Sequence, residues 1–80
     1  GMLFVFKRPE PHAFYMKNTL IPLDIIFIDS NKQIVNIHKN AHPLDESSLP
    51  SEGPVQYVLE INGGLSERWG LKKGDKILWK

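Results

Sequence analysis

The sequence predicts a mainly β fold, β-rich α+β in class: a small, partly open barrel of antiparallel or mixed strands with one short helix near the C-terminus. Three observations carry that prediction. Short runs of β-branched and aromatic residues recur along the chain, turn residues separate them, and only Leu65 and Trp69, four positions apart near the end, show helical spacing. Local hairpin connections then favour a sheet rolled on itself, with the helix over one opening.

The first run, Leu3-Phe4-Val5-Phe6, has no polar lead-in, so the first strand is expected at the very start of the chain. In Lys7-Arg8-Pro9-Glu10-Pro11 two prolines fix φ and remove two amide donors, which predicts a surface turn. Ala13-Phe14-Tyr15-Met16 is a second short apolar stretch, and Pro22 argues against a central strand across Leu20-Ile21-Pro22-Leu23. Ile25-Ile26-Phe27-Ile28, between Asp24 and Asp29, is continuously apolar and predicts a strand covered on both faces, the centre of the core. Ser30-Asn31-Lys32 has turn chemistry, and the following residues 33–38 make the antiparallel partner of a hairpin.

Residues 43–54 hold three prolines, three serines, a glycine and three acids, which predicts a structureless connection of the kind used for lids and binding loops. From Val55 the chain alternates, with Val55, Tyr57, Leu59 and Ile61 on one face and Gln56, Val58 and Glu60 on the other, a half-buried strand. Asn62-Gly63-Gly64 ends it. The short helix then closes with Gly70 at its C′ position and Leu71 packing back. Lys72-Lys73-Gly74-Asp75 turns the chain into a last strand, Lys76-Ile77-Leu78-Trp79. Tyr57, Trp69 and Trp79 are expected in the core. About five strands result, in a single domain over residues 1–80.

Composition bounds the function. Eighty residues with 41% hydrophobic side chains make one core with little stability margin, too small for a deep enclosed cavity. The absence of cysteine removes disulfides, thiolate zinc sites, iron–sulfur clusters and cysteine nucleophiles together. The apolar runs are too short to span a membrane as helices, and a net charge of +1 predicts no strong polyanion partner. Gly1-Met2 reads either as a tag scar before an initiator methionine or as a cut within a longer chain; no export signal precedes the first strand, and the sequence assigns no compartment.

No catalytic set assembles from the residues. His38 and His42 are four apart, but the interval runs from a strand end into Pro43, so the helical geometry of a two-histidine metal site is absent and no metal or cofactor is expected. His12 is isolated. Ser66 lacks the glycine two residues on that a nucleophile elbow needs, and is a first-turn helix residue instead. The block from Gly70 to Asp75 has three residues between its glycines, one fewer than a phosphate loop. Asp24 and Asp29, five apart, point to opposite faces of a regular strand and cannot act as an acid–base pair.

Two segments remain. Lys17, Asn18 and Thr19 bring a cation, an amide and a hydroxyl together between apolar stretches. With Tyr15 and Met16 as an apolar wall and Asp24 as a second polar group, they form the expected binding site of a non-enzymatic module for a small polar molecule or a protein partner. The alternative is nucleic-acid binding, possibly regulatory, through Arg68, Lys72, Lys73 and Lys76, interleaved with Trp69 and Trp79 in a segment of net charge +3.

Several blocks together resemble a known family. Met2-Leu3-Phe4-Val5-Phe6, Phe14-Tyr15-Met16-Lys17-Asn18-Thr19 and Ile21-Pro22-Leu23-Asp24-Ile25-Ile26-Phe27-Ile28-Asp29 occur in order. Tyr57-Val58-Leu59-Glu60, Asn62-Gly63-Gly64 and Gly70-Leu71-Lys72-Lys73-Gly74-Asp75 follow. Nearly the whole chain is similar to the uncharacterised bacterial family numbered 192 among the domains of unknown function, whose motif carries Trp at the position of Tyr15. The resemblance implies a compact β-rich domain with no established activity. It also implies an N-terminal segment, often behind an export signal, that this chain lacks. Loss of a strand there would leave an open sheet edge, at which a second copy of the chain could pair.

Overall fold

The computed structural model describes residues 1–16, 20–45 and 47–78. Strands β1 (Met2–Glu10), β3 (Leu23–Ile28), β4 (Ile34–Ala41) and β6 (Val55–Asn62) form one sheet in the order β1-β6-β3-β4, antiparallel throughout. The short strands β2 (Ala13–Phe14) and β5 (Leu49–Pro50) pair as a separate antiparallel ribbon, and helix α1 (Leu65–Arg68) follows β6. The sheet is not closed. It is a partly open, antiparallel β arrangement with one short helix near the C-terminus.

The continuous apolar run of β3 has a direct cause. Ile25 and Phe27 face the ribbon and pack with Met16, Val58 and the half-buried Phe4, Phe14 and Leu49. Ile26 and Ile28 face the other way, against Ile34, Ile61 and the half-buried Leu65, Leu71 and Ile77 of the C-terminal segment. A strand with β4 and β6 beside it and a layer over each face has no solvent side, so alternation disappears. Each fully buried isoleucine or phenylalanine there contributes about 1.5–3 kcal/mol. Rings add directional contacts: Phe14 meets Phe4 and Phe27 edge-on, with centroids 5.2 and 6.0 Å apart.

The β3–β4 hairpin forms where its turn residues place it. Asp29 accepts the N–H groups of Asn31 and Gln33, both at 2.9 Å, while Lys32 takes the positive φ of 64°. The helix ends as expected too. Leu71 N–H reaches the Ser66 carbonyl at 2.8 Å and Gly70 N–H the Glu67 carbonyl at 3.0 Å, with Gly70 at φ 70°; this is the Schellman arrangement.

Five expectations are corrected. Residues 7–11 do not turn away: β1 continues to Glu10, because an edge strand tolerates Pro9 and a register shift between Val5 and Glu10 absorbs the misfit. Residues 43–54 are not structureless, since Leu49 and Pro50 pair with Phe14 and Ala13. The alternation of β6 fails at Val55, which is fully buried with Met16 and Val58 on the ribbon side, where β6 meets the shifted end of β1. After α1 the described residues form no strand. Lys76 makes one bridge to Gln33, and Ile77 N–H donates to the Lys32 carbonyl at 2.8 Å. Finally, Trp69 is 58% exposed beyond the last helical turn, Tyr57 is half-buried, and Trp79 lies outside the described residues.

Candidate binding site

Asp24 sits on the helix side of β3, opposite Ile61, and is completely buried. Its Oδ2 accepts the Ser66 hydroxyl at 2.6 Å and the Ser66 N–H at 2.9 Å; its Oδ1 accepts the N–H groups of Asn40 at 2.8 Å and Gly64 at 3.2 Å. Burial alone would raise this carboxyl, but the Ser66 hydroxyl and the three N–H groups outweigh it and hold the pKa below the ordinary 3.8. Gly64, the N-cap, offers no side-chain acceptor to the helix, so the carboxylate of a distant strand supplies it.

The backbone is shaped to this purpose. Between the pairs Leu23↔Ala41 and Ile25↔His38 the register shifts, β4 carrying one residue more than β3. Within that bulge Asn40 adopts φ 50°, which frees its N–H from the ladder and turns it to Asp24.

Asn36 is a second buried polar anchor. Its Nδ2 donates to the Pro50 carbonyl at 3.1 Å, its Oδ1 accepts Glu52 N–H at 3.0 Å, and His38 Nε2 lies 2.8 Å from the same carbonyl. These contacts pin the end of β5 to β4. His12 stacks on Phe6 at 3.7 Å, and its buried Nε2 has no hydrogen-bond partner among the described residues.

Two shallow grooves open on the surface. One, of about 250 Å³, lies between β4 and the Leu71–Lys73 segment. Lysines line it, but Lys73 Nζ donates to Glu52 at 2.7 Å and Lys72 Nζ lies 3.5 Å from Asp75, so acids offset part of their charge. The other, of about 270 Å³, lies between the start of β1, Ile21, Leu23 and the end of β6. Met2 and Ile21 are exposed at its rim by 57% and 53%, and Glu60 lies in its wall.

The expected site residues divide. Tyr15 is exposed, Met16 is buried in the core at 1% exposure, and Asp24 faces inward with both oxygens engaged. Lys17, Asn18 and Thr19 lie outside the described residues. Arg68, Lys72, Lys73 and Lys76 are all exposed. Ser66 and Glu60 were not among the expected site residues. The signal for Glu60 was present, a charge on the strand face that also carries Val58. No sequence signal links Ser66 to Asp24. Among the described residues no three metal-binding side chains cluster.

Sheet, ribbon and strand-capped helix define a small β-rich domain with open grooves. The chain belongs to the family DUF192, described as "Uncharacterized ACR", whose model matches residues 1–79. It is similar to a solved protein of unknown function from Novosphingobium aromaticivorans DSM 12444. That similarity is 51% identity over 98% of this chain and 56% of the other, with a TM-score of 0.93. It is also similar, at 47% identity over 95% of this chain and 59% of the other, to a Sinorhizobium meliloti 1021 protein with the provisional description of a transcription regulator, TM-score 0.91. The chain thus spans less than two thirds of either protein. No curated protein matches it.

Proposed function

We propose that this domain is a non-enzymatic binding module and that its docking face is the start of β1 together with the groove beside it. The observation that carries the reading is the placement of exposed apolar residues. Met2, Leu3 and Val5 on β1 are exposed by 57%, 42% and 64%, and Ile21 by 53% stands across the groove from Met2. β1 is also the last strand in the sheet order, so its outer backbone edge has no strand partner among the described residues. An open edge flanked by apolar side chains is the surface that strand addition uses.

The expected binding segment lies just before this face in the sequence. Ile21 and Leu23 of the groove wall follow that segment in the chain; Tyr15 is exposed, and Met16 and Asp24 are buried. The buried polar side chains Asp24, Asn36 and Ser66 are consumed in structural hydrogen bonds, which leaves them no chemistry to offer a substrate. The partner is a polypeptide or a small polar molecule, and a second copy of the chain is one candidate polypeptide.

The test is amide-shift mapping by NMR with short β-forming peptides, alongside solution mass by light scattering. Shifts at residues 2–5, 21–23 and 60–62, abolished by Val5→Lys, are expected. Shifts confined to Lys39, Lys72 and Lys73 would overturn it.

The provisional description of the Sinorhizobium meliloti protein favours a second reading, nucleic-acid binding through Arg68, Lys72, Lys73 and Lys76. That reading requires affinity that falls steeply with salt and with Lys72→Ala and Arg68→Ala. Gel shifts at low salt decide it.

A further inference from the structure

Glu60 stands where the sheet calls for an apolar side chain. On the ribbon side its cross-strand neighbours are Met2 of β1 and Ile25 of β3, and Val58 precedes it on the same face of β6. Its side chain is half-buried in the groove wall, and the carboxylate has no hydrogen bond or ion pair among the described residues. Burial pushes its carboxyl above the usual glutamate range. The buried acid Asp24, by contrast, is met by four donors. A half-buried carboxylate set among apolar side chains, with no partner among the described residues, is a local conflict of the kind found where a group is met by a partner from outside.

We propose that Glu60 is the recognition point of this groove and receives a basic side chain, arginine or lysine, from a partner polypeptide paired along β1. The inference rests on the reading of β1 as the docking edge. Charge and shape select the occupant. The groove, about 270 Å³, is smaller than most small-molecule pockets and suits one long side chain. Its lining offers Met2, Ile21 and Leu23 to an aliphatic stem and one carboxylate to a cationic head.

The reach is sufficient. Strands lie about 4.8 Å apart, so a residue opposite Met2 on an added strand stands about 10 Å from the Glu60 backbone. An extended arginine or lysine lying over Met2, together with the glutamate's own side chain, spans that distance. Arginine is the better match, because its guanidinium is weakly hydrated and binds a carboxylate bidentately. A free cation would leave the backbone edge and the exposed Leu3 and Val5 uncovered, which is why a polypeptide is the source.

The test uses acetylated, amidated heptapeptides of alternating valine and threonine, with one arginine moved through the positions, titrated against the 80-residue chain by NMR. One register is expected to bind about tenfold more tightly than its norleucine counterpart, with lysine between them. Glu60→Gln, which removes a half-buried charge and should fold, is expected to erase that difference while norleucine-peptide binding persists. Equal binding of arginine and norleucine peptides, or an arginine advantage that survives Glu60→Gln, overturns the role of Glu60 but leaves the docking edge standing. Binding of none of the peptides overturns both. N-acetyl-arginine amide binding as tightly as the best peptide overturns the polypeptide source.

Discussion

The Asp24 carboxylate accepts the Ser66 hydroxyl at 2.6 Å across 42 positions of sequence, and by this bond a buried strand caps the helix of the C-terminal segment. The same carboxylate holds the bulge of β4 through Asn40 and the β6–α1 turn through Gly64. One side chain therefore sets the relative positions of three elements. Its loss should be felt well beyond its own strand.

Asp24→Asn retains the volume but turns an amide N–H toward the Ser66 donors. Hydrogen bonds to a charged group contribute about 1.5–3 kcal/mol each, and buried donors left unpaired add their own penalty. The expected loss is about 2–4 kcal/mol in urea unfolding. Ser66→Ala, which removes one donor and keeps the N–H contact, should cost less, about 1–2 kcal/mol.

The Asp24 pKa is lowered in the folded protein, so the folded state holds the ionised form more strongly than the unfolded chain does. Its stabilisation is full above the unfolded value near 3.8 and is lost as pH falls through the folded value. The stability gap between wild type and Asp24→Asn should therefore be constant near neutrality and shrink below about pH 4. A gap independent of pH down to 2 would show that the carboxylate is not the source.

His12 stacks on Phe6 while its Nε2 is buried without a partner among the described residues. His12→Phe keeps the stacking and removes the unpaired nitrogen. Its thermal midpoint should equal or exceed that of wild type, whereas His12→Ala should lower it.

A Cβ on Gly63 would stand 2.7 Å from Asn40 Oδ1 and 3.2 Å from Pro22 Cβ. The exposed end of Asn40 can move, but Pro22 cannot, and the Gly63 N–H bond to the Pro22 carbonyl at 3.0 Å ties the two segments. Gly63→Ala is expected to destabilise by about 1–3 kcal/mol, by overpacking rather than backbone strain.

Trp69→Ala should cost under about 1 kcal/mol, since the ring is 58% exposed. Phe27→Ala, at 0% exposure between the ribbon and the sheet, should cost about 3–5 kcal/mol. Comparable losses for the two would contradict the placement of Trp69.

The parts legible in the sequence were those governed by neighbours along the chain. The 25–28 run as a doubly covered strand, the Asp29 turn, and Gly70 with Leu71 at the helix end all depend on residues within a few positions of one another. The candidate site was less legible. The segment at residues 15–19 precedes the groove residues Ile21 and Leu23 only in sequence, and the Glu60 carboxylate acquires meaning only when β1 and β3 place Met2 and Ile25 beside it.

Local pattern alone thus determined a β-rich domain with a central apolar strand and one short, glycine-terminated helix. Tertiary structure decided the rest: that Asp24 is buried, that Trp69 is not, that Pro9 lies inside an edge strand, and that Leu49 and Pro50 pair with β2. Each of these depends on which distant segment lies alongside. A carboxylate can be buried in β3 only because Asn40, Gly64 and Ser66 bring their donors to it, and short-range sequence carries no record of that convergence.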